Sequence, residues 1–294
     1  MKSNEIDRLN DQPSPYDKAS YFMGLVKQEI ETCEDFLSKE EVESFRAYHS
    51  SLKGMNELRF SHSRDRYAQR VQHLIDSIDL KTKVLDAGCG TGSESILCSV
   101  LGANVIGVDL SEERLAVARG RLKFYEGKLN KPLEVKFYAQ SVFDISDTFN
   151  VIWAQQSISH ISPADRFIQF AYDHLDKGGK LIIIDPNALN PLAYILAKRD
   201  QWKRGGAYTT KRNPQTGEII PYAQERIFSI YTIKQMVTKA GFKIKEVHVS
   251  GISLPVPLFS YKSRNMSYYI NKVFDRLPII RMFGGGYTLI VVKE

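Results

Sequence analysis

Two rhythms of apolar and polar positions divide the chain near residue 80. Between about 18 and 78, apolar residues recur every three to four positions in "YFMGLVKQEIETCEDFL", "SKEEVESFRAYHSSL" and "RDRYAQRVQHLIDSI". That spacing lays one apolar stripe along a helix. Ser38 with Glu41 three residues later is a reciprocal cap of the kind that opens a helix. From residue 83, short apolar runs alternate with amphipathic stretches. "KVLDAG", "NVIGVDL", "LEVKFYAQ", "NVIWAQQ" and "GGKLIIIDP" read as strands, and "GSESILCSVLG", "SEERLAVARGRLKFYE" and "PADRFIQFAYDHL" as helices. Ser111 caps the second of these helices, with acids in its first turn where the helix dipole favours them. Strands joined by crossover helices predict an α/β fold with a doubly wound, mostly parallel sheet covered on both faces.

The alternation breaks twice. Residues 187–229 carry Pro191, Pro214, Pro221 and the Gly205-Gly206 pair, after which "YTIKQMVTKAGF" reads as a helix and "KIKEVHVSG" as a strand. A second interruption, over 252–286, precedes a closing strand "YTLIVVKE". The expected organisation is an N-terminal tail and helical lid over 1–80, then an α/β domain over 81–294 whose two insertions, with the lid, form a cap.

Composition narrows the class. Of the 294 residues, 43% are hydrophobic and 25% charged, ordinary for a chain that buries a core. The start is charged and lacks an apolar signal segment, and no run approaches the ~20 apolar residues of a membrane span. The expected location is cytoplasmic. Cys33, Cys89 and Cys98 stand at no metal-ligand spacing, so no metal is expected, and Cys89 reads as a small buried filler. The net charge of +6 is uneven: residues 196–286 hold 16 Lys+Arg against 5 Asp+Glu. A basic face there suits phosphate, carboxylate or an anionic membrane surface, or is a solvated face.

The sharpest chemistry lies at residues 84–95, "VLDAGCGTGSES". Gly88, Gly90 and Gly92 follow a strand and open a helix, so a ligand can approach bare backbone beside free N–H groups. Asp109 ends the next strand, 23 residues beyond Asp86, the separation at which an acid grips both hydroxyls of an adenosine ribose. Asp86 stands where a dinucleotide's pyrophosphate would run, and would repel it. A ligand amino group there would be attracted. Ser93 also replaces the Gly or Ala of a dinucleotide fingerprint. These features favour S-adenosylmethionine over a nicotinamide cofactor.

The set "VLDAGCGTG", "VIGVDLSEERLAVAR", "AQSVFDI", "VIWAQQSISHI" and "LDKGGKLIIID", in this order over about 83–250, resembles the class I, Rossmann-like S-adenosylmethionine-dependent methyltransferases, nearest to those of quinone and lipid biosynthesis. The resemblance implies a seven-stranded sheet whose last strand runs antiparallel beside the fifth. It implies that Gly88, Gly90 and Gly92 lie against the methionine moiety with Asp86 at its border, that Asp109 grips the ribose with Leu110 against adenine, and that Ser141 and Val142 face the adenine edge. An aspartate is common in the family where Ser141 stands; a hydroxyl accepts more weakly. Ala154 and Gln155 would border the sulfonium. Arg66 is the candidate for the methionine carboxylate, with Arg59 and Arg64 as rivals.

For the acceptor, His160 follows the fourth strand and is the candidate base, since imidazole titrates near neutrality; it could instead cap or pack. Asp185, ending the fifth strand, could orient the acceptor. Tyr222, Glu225 and Arg226 are weaker candidates. The insertions interleave aromatic and aliphatic residues with Lys198, Arg199, Lys203, Arg204, Lys262, Arg264, Lys272, Arg276 and Arg281, a composition that suits anionic lipid or an apolar tunnel with a charged mouth. Peripheral membrane contact is therefore expected alongside a cytoplasmic location. "QQSIS" after the fourth strand lacks the Asn/Asp-Pro-Pro-Tyr/Phe pattern that grips an extruded base, which argues against nucleic acid. The expectation is methyl transfer to a hydroxyl, or less so an amine or carbon, of a small apolar, anionic or lipid-linked metabolite. The alternatives are a nucleic-acid or protein methyltransferase, a nicotinamide oxidoreductase, and a non-catalytic binding module.

Overall fold

The computed structural model describes residues 14–49, 57–250, 277 and 282–294. The helices are α1 (Pro15–Thr32), α2 (Lys39–His49), α3 (Glu57–Ile75), α4 (Ser93–Val100), α5 (Glu112–Leu129), α6 (Ala164–His174), α7 (Pro191–Lys203) and α8 (Ile230–Lys239). The strands are β1 (Lys83–Ala87), β2 (Asn104–Asp109), β3 (Val135–Ala139), β4 (Phe149–Gln155), β5 (Leu175–Pro186), β6 (Tyr208–Arg212), β7 (Ile219–Ala223), β8 (Lys243–Ser250) and β9 (Gly286–Val292). Seven strands form one sheet in the order β3-β2-β1-β4-β5-β9-β8, and β6 and β7 form a separate hairpin. β1 runs parallel to β2 and β4, and β2 parallel to β3. β9 is antiparallel to both β5 and β8. The seven-stranded sheet and its inserted last strand, expected from the sequence, are both borne out.

By contacts the chain divides into two compact units, Met1–Trp153 with Asn213–Gly217, and Ala154–Arg212 with Glu218–Glu294. In the first, β1 is buried from Val84 to Ala87, as an apolar run in a parallel sheet must be. The expected cap at α2 is present: Ser38 Oγ accepts from Glu41 N at 3.3 Å, and Glu41 Oε2 accepts from Ser38 N at 2.8 Å. α1 buries Phe22, Met23, Leu25, Val26 and Ile30. Phe22 stacks on Tyr67 of α3 and Tyr125 of α5, so the N-terminal helices contribute to this unit's core. Glu29 of α1 and Arg121 of α5 are fully buried and joined, Nε to Oε1 at 2.5 Å and Nη2 to Oε2 at 2.9 Å.

In the second unit, the insertion after β5 is pinned at its root. Asn187 Nδ2 donates to the carbonyls of Met282 and Gly284, and Asn190 Nδ2 to that of Phe283, while Asn190 Oδ1 caps α7 by accepting from Ala193 N at 2.8 Å. β7 is held to the segment after β4 by an Ile161–Tyr222 bridge and by Ala223 N donating to the His160 carbonyl. Most of the second insertion, including Lys262, Arg264, Lys272, Arg276 and Arg281, lies outside the described residues, as does the Arg59 side chain.

Candidate functional site

The glycine loop between β1 and α4 takes its shape from left-handed backbone: φ is +79° at Gly88, +54° at Gly90 and +75° at Gly92. Side chains rarely tolerate that region. Gly92 has a second reason to be glycine. A Cβ there would meet the Phe137 ring at 2.7 Å and the Ala118 Cβ at 3.0 Å, and a Cβ at Gly107 would meet the same ring at 2.8 Å. Part of the glycine pattern that reads as ligand clearance therefore makes room for Phe137.

Asp109 ties this loop to the end of β2. Its Oδ2 accepts from Gly90 N at 3.1 Å, its Oδ1 from Ser111 N at 2.8 Å, and Arg114 Nη1 lies 3.5 Å from Oδ2. Each carboxylate oxygen has more than one lone-pair site, so these bonds leave acceptor capacity for hydroxyls. Leu110 follows it, half-buried. Asp86 is 4% exposed and accepts from the Ser95 hydroxyl at 2.6 Å. Burial, then the neighbouring Glu94 and Asp109 carboxylates, push its pKa up to about 7. Among the described residues no lysine or arginine pairs with it. A buried carboxyl raised by its neighbours is the setting that a ligand cation would relieve.

Ser141 is 6% exposed and its hydroxyl accepts from Phe143 N at 3.3 Å, capping the short turn Val142–Asp144. Val142 is buried. Arg66 stands exposed on α3. Cys89 is buried, and desolvation raises its thiol well above the usual range, as a packing residue requires. A recess of about 500 Å³ opens beside Phe137, Tyr138, Gln140, Arg119 and Gln215, and none of the candidate cofactor residues lines it.

The second unit holds the acceptor-side candidates. Ala154 is fully buried, and Gln155 carries a buried Oε1 without a partner among the described residues. Gln156 then turns left-handed, φ +49°, and its N–H donates to the Ile184 carbonyl at 2.7 Å. Asp185 is 2% exposed; one oxygen accepts from the Ser159 hydroxyl at 3.3 Å and the other has no partner among the described residues. Desolvation is the main cause that raises its pKa well above the carboxylate range, and Glu225 adds to it. His160 Nδ1 faces the Ala223 carbonyl at 3.2 Å. A carbonyl only accepts, so Nδ1 carries the proton and Nε2 is the basic nitrogen, 3.6 Å from Glu225 Oε1. The ring stacks on Tyr222 at 5.6 Å, which in turn lies under Lys211 Nζ. Glu225 adopts φ +51°, a conformation uncommon for a residue with a side chain. The structure thus brings His160, Tyr222 and Glu225 together, while Arg226 packs over Tyr208 and Phe228.

Two residues escaped the sequence reading. Arg121 donates from Nη1 to the Thr91 carbonyl at 2.7 Å and to Ser93 Oγ at 2.8 Å, bracing the glycine loop from α5. Tyr287, 1% exposed and with a hydroxyl unpartnered among the described residues, carries no signal within its apolar strand.

The human mitochondrial ubiquinone biosynthesis O-methyltransferase is 30% identical over 205 residues, covering 68% of this chain and 52% of that protein. The ubiquinone biosynthesis O-methyltransferase of Pelagibacter ubique is 26% identical over 162 residues, covering 52% and 64%. The chain spans about half the length of the mammalian relatives it matches. In fold it is similar to magnesium protoporphyrin IX methyltransferase from Synechocystis PCC 6803 with bound SAH, at TM-score 0.53 and 16% identity over 90% of this chain and 100% of that one. A methyltransferase-domain profile matches residues 59–247. The chain belongs to the methyltransferase-domain family, the S-adenosylmethionine-dependent class that its ordered motifs resemble.

Proposed function

We propose that the protein moves a methyl group from S-adenosylmethionine to a hydroxyl oxygen of a small metabolite. The observation that carries this reading is the Asp86–Asp109 arrangement at the glycine loop: one buried carboxyl that pairs with no lysine or arginine among the described residues, and one carboxylate holding the loop with acceptor capacity to spare. Asp86 suits an ammonium group, Asp109 a pair of ribose hydroxyls, and the left-handed backbone at Gly88 and Gly90 permits close approach. Leu110, Ser141 and Val142 are assigned to the adenine side, Ala154 and Gln155 to the sulfonium side, and exposed Arg66 to the methionine carboxylate. When bound, the cofactor supplies an electrophilic methyl on a sulfonium.

On the acceptor side, His160 is the base. The Ala223 carbonyl fixes its tautomer, and Glu225 favours the imidazolium that forms when Nε2 takes a hydroxyl proton. Asp185 orients the acceptor. The O-methyltransferase names of the relatives support oxygen as the acceptor atom. Among the described residues no helix is long and apolar enough to cross a membrane. Helix α7 nevertheless exposes Tyr194, Ile195, Leu196 and Trp202 beside its lysines and arginines, which supports peripheral contact with anionic lipid and an acceptor taken from that surface.

Incubation with methyl-labelled S-adenosylmethionine and a lipid extract should place label in a small organic product, and Asp109→Ala should abolish it. Label appearing only in RNA or protein would overturn the acceptor assignment. Calorimetric binding of a nicotinamide nucleotide without binding of S-adenosylhomocysteine would overturn the cofactor assignment.

A further inference from the structure

Asp185 and Tyr287 are directly opposed in the antiparallel pair of β5 and β9. Directly opposed residues share one face of a sheet, with Cβ atoms about 5 Å apart. Both residues are at least 98% buried, and each keeps one polar atom with no partner among the described residues, Asp185 Oδ2 and Tyr287 Oη. Gln155 Oε1 and Ser157 Oγ, just before and within the turn that Ser159 fastens to Asp185, are also buried and, among the described residues, unpartnered. Native proteins satisfy nearly all buried polar groups, and each one left unmet costs about 1–3 kcal/mol. Four such atoms at the ends of neighbouring strands mark a place built to receive a hydrogen-bonding group.

We propose that Asp185 and Tyr287 recognise the methyl acceptor, and that they select a neutral hydroxyl- or carbonyl-bearing group over a carboxylate or phosphate. The proposal rests on the methyltransferase reading and names the chemistry of its acceptor. A phenol can donate and accept. Burial favours the neutral acid form of Asp185, and a neutral acid can donate as well. Together the pair can donate to an oxygen and accept from a hydroxyl. An anionic group would instead be desolvated beside Glu225, whose charge already acts on Asp185, and among the described residues neither Asp185 nor Glu225 is paired with a lysine or arginine. The basic character of the α7 surface therefore belongs to approach, and the buried pair to selection.

Tyr287→Phe removes one oxygen and keeps the ring. The deletion relieves a desolvated hydroxyl, so the variant should be at least as stable as the parent in urea unfolding and should bind S-adenosylhomocysteine unchanged. The probes are a neutral alkyl-dihydroxybenzene and the matching dihydroxybenzoate, with labelled S-adenosylmethionine at saturation. The parent should prefer the neutral probe, and Tyr287→Phe should lower kcat/KM for it by about tenfold, one lost hydrogen bond. Asp185→Leu, which removes both oxygens at similar volume, provides a second variant and should likewise lower kcat/KM for the neutral probe while leaving S-adenosylhomocysteine binding unchanged. Unchanged turnover in both variants, preference for the carboxylated probe, or methylation of neither by a parent that binds S-adenosylhomocysteine would overturn the proposal. A parent that binds no S-adenosylhomocysteine would remove the methyltransferase reading itself, and this proposal with it.

Discussion

Glu29 and Arg121 sit 92 residues apart in sequence and form a fully buried, two-bond ion pair between α1 and α5. The same guanidinium braces the glycine loop through the Thr91 carbonyl, and Tyr125 donates to Glu29 at 3.1 Å. Removing one partner leaves the other charge buried and uncompensated, which costs about 3–5 kcal/mol. Arg121→Met and Glu29→Leu should each destabilise by that order. The double variant should lose less than the sum, because no charge is then stranded. Urea unfolding of the three variants measures this; additive losses would mean that the two residues do not act as a pair.

The pH response of Asp86 follows from its raised pKa. The folded group titrates at about 7 and the unfolded one at 3.8, so between those values the folded chain holds a proton that the unfolded chain has released. Its contribution to stability is full below about pH 4 and is lost as the pH rises through about 7. An ammonium-bearing ligand acts in the opposite direction, because it prefers the carboxylate. S-Adenosylhomocysteine affinity should rise by up to about tenfold per unit from about pH 5 to 7 and then level off. Calorimetry at pH 6 in two buffers of different ionisation enthalpy should register proton release, and Asp86→Asn should flatten the profile. Affinity independent of pH would argue that the ligand cation lies elsewhere.

Gly92→Ala tests the packing role of the loop's third glycine. The new methyl would occupy left-handed backbone and press on the Phe137 ring, so a loss of about 1–3 kcal/mol is expected. Phe137→Leu in the same background should recover part of it. Full stability in Gly92→Ala, measured by thermal unfolding, would show that the loop relaxes freely.

Trp202 is 82% exposed at the end of α7 and gives a direct reading of membrane contact. Its fluorescence should shift to the blue on vesicles containing anionic phosphatidylglycerol, less on zwitterionic ones, and the shift should fade with salt. Replacing Lys198, Arg199 and Lys203 by glutamine should weaken binding by about 1 kcal/mol per charge. An unshifted spectrum on anionic vesicles would assign those aromatics to another role.

Much of this protein is local in origin and was therefore legible. Short continuous apolar runs mark the buried strands and stripes at 3.6 the helices, because burial on both faces and side-chain direction are set by backbone geometry. The glycine loop, Asp86 and Asp109 are legible because strand, turn and helix place them within one short stretch of chain. The inserted β9 follows from family resemblance, and its antiparallel pairing with β5 and β8 bears that out. Tertiary structure decided what depends on distant residues meeting. It joined Glu29 to Arg121, wedged Phe137 against Gly92 and Gly107, and seated β7 so that Ala223 fixes the His160 tautomer. It also set Tyr287 opposite Asp185 across a strand pair 102 residues apart in the register. Those relationships arise from pairing register and desolvation, which are properties of the folded chain, and no local window of sequence contains them.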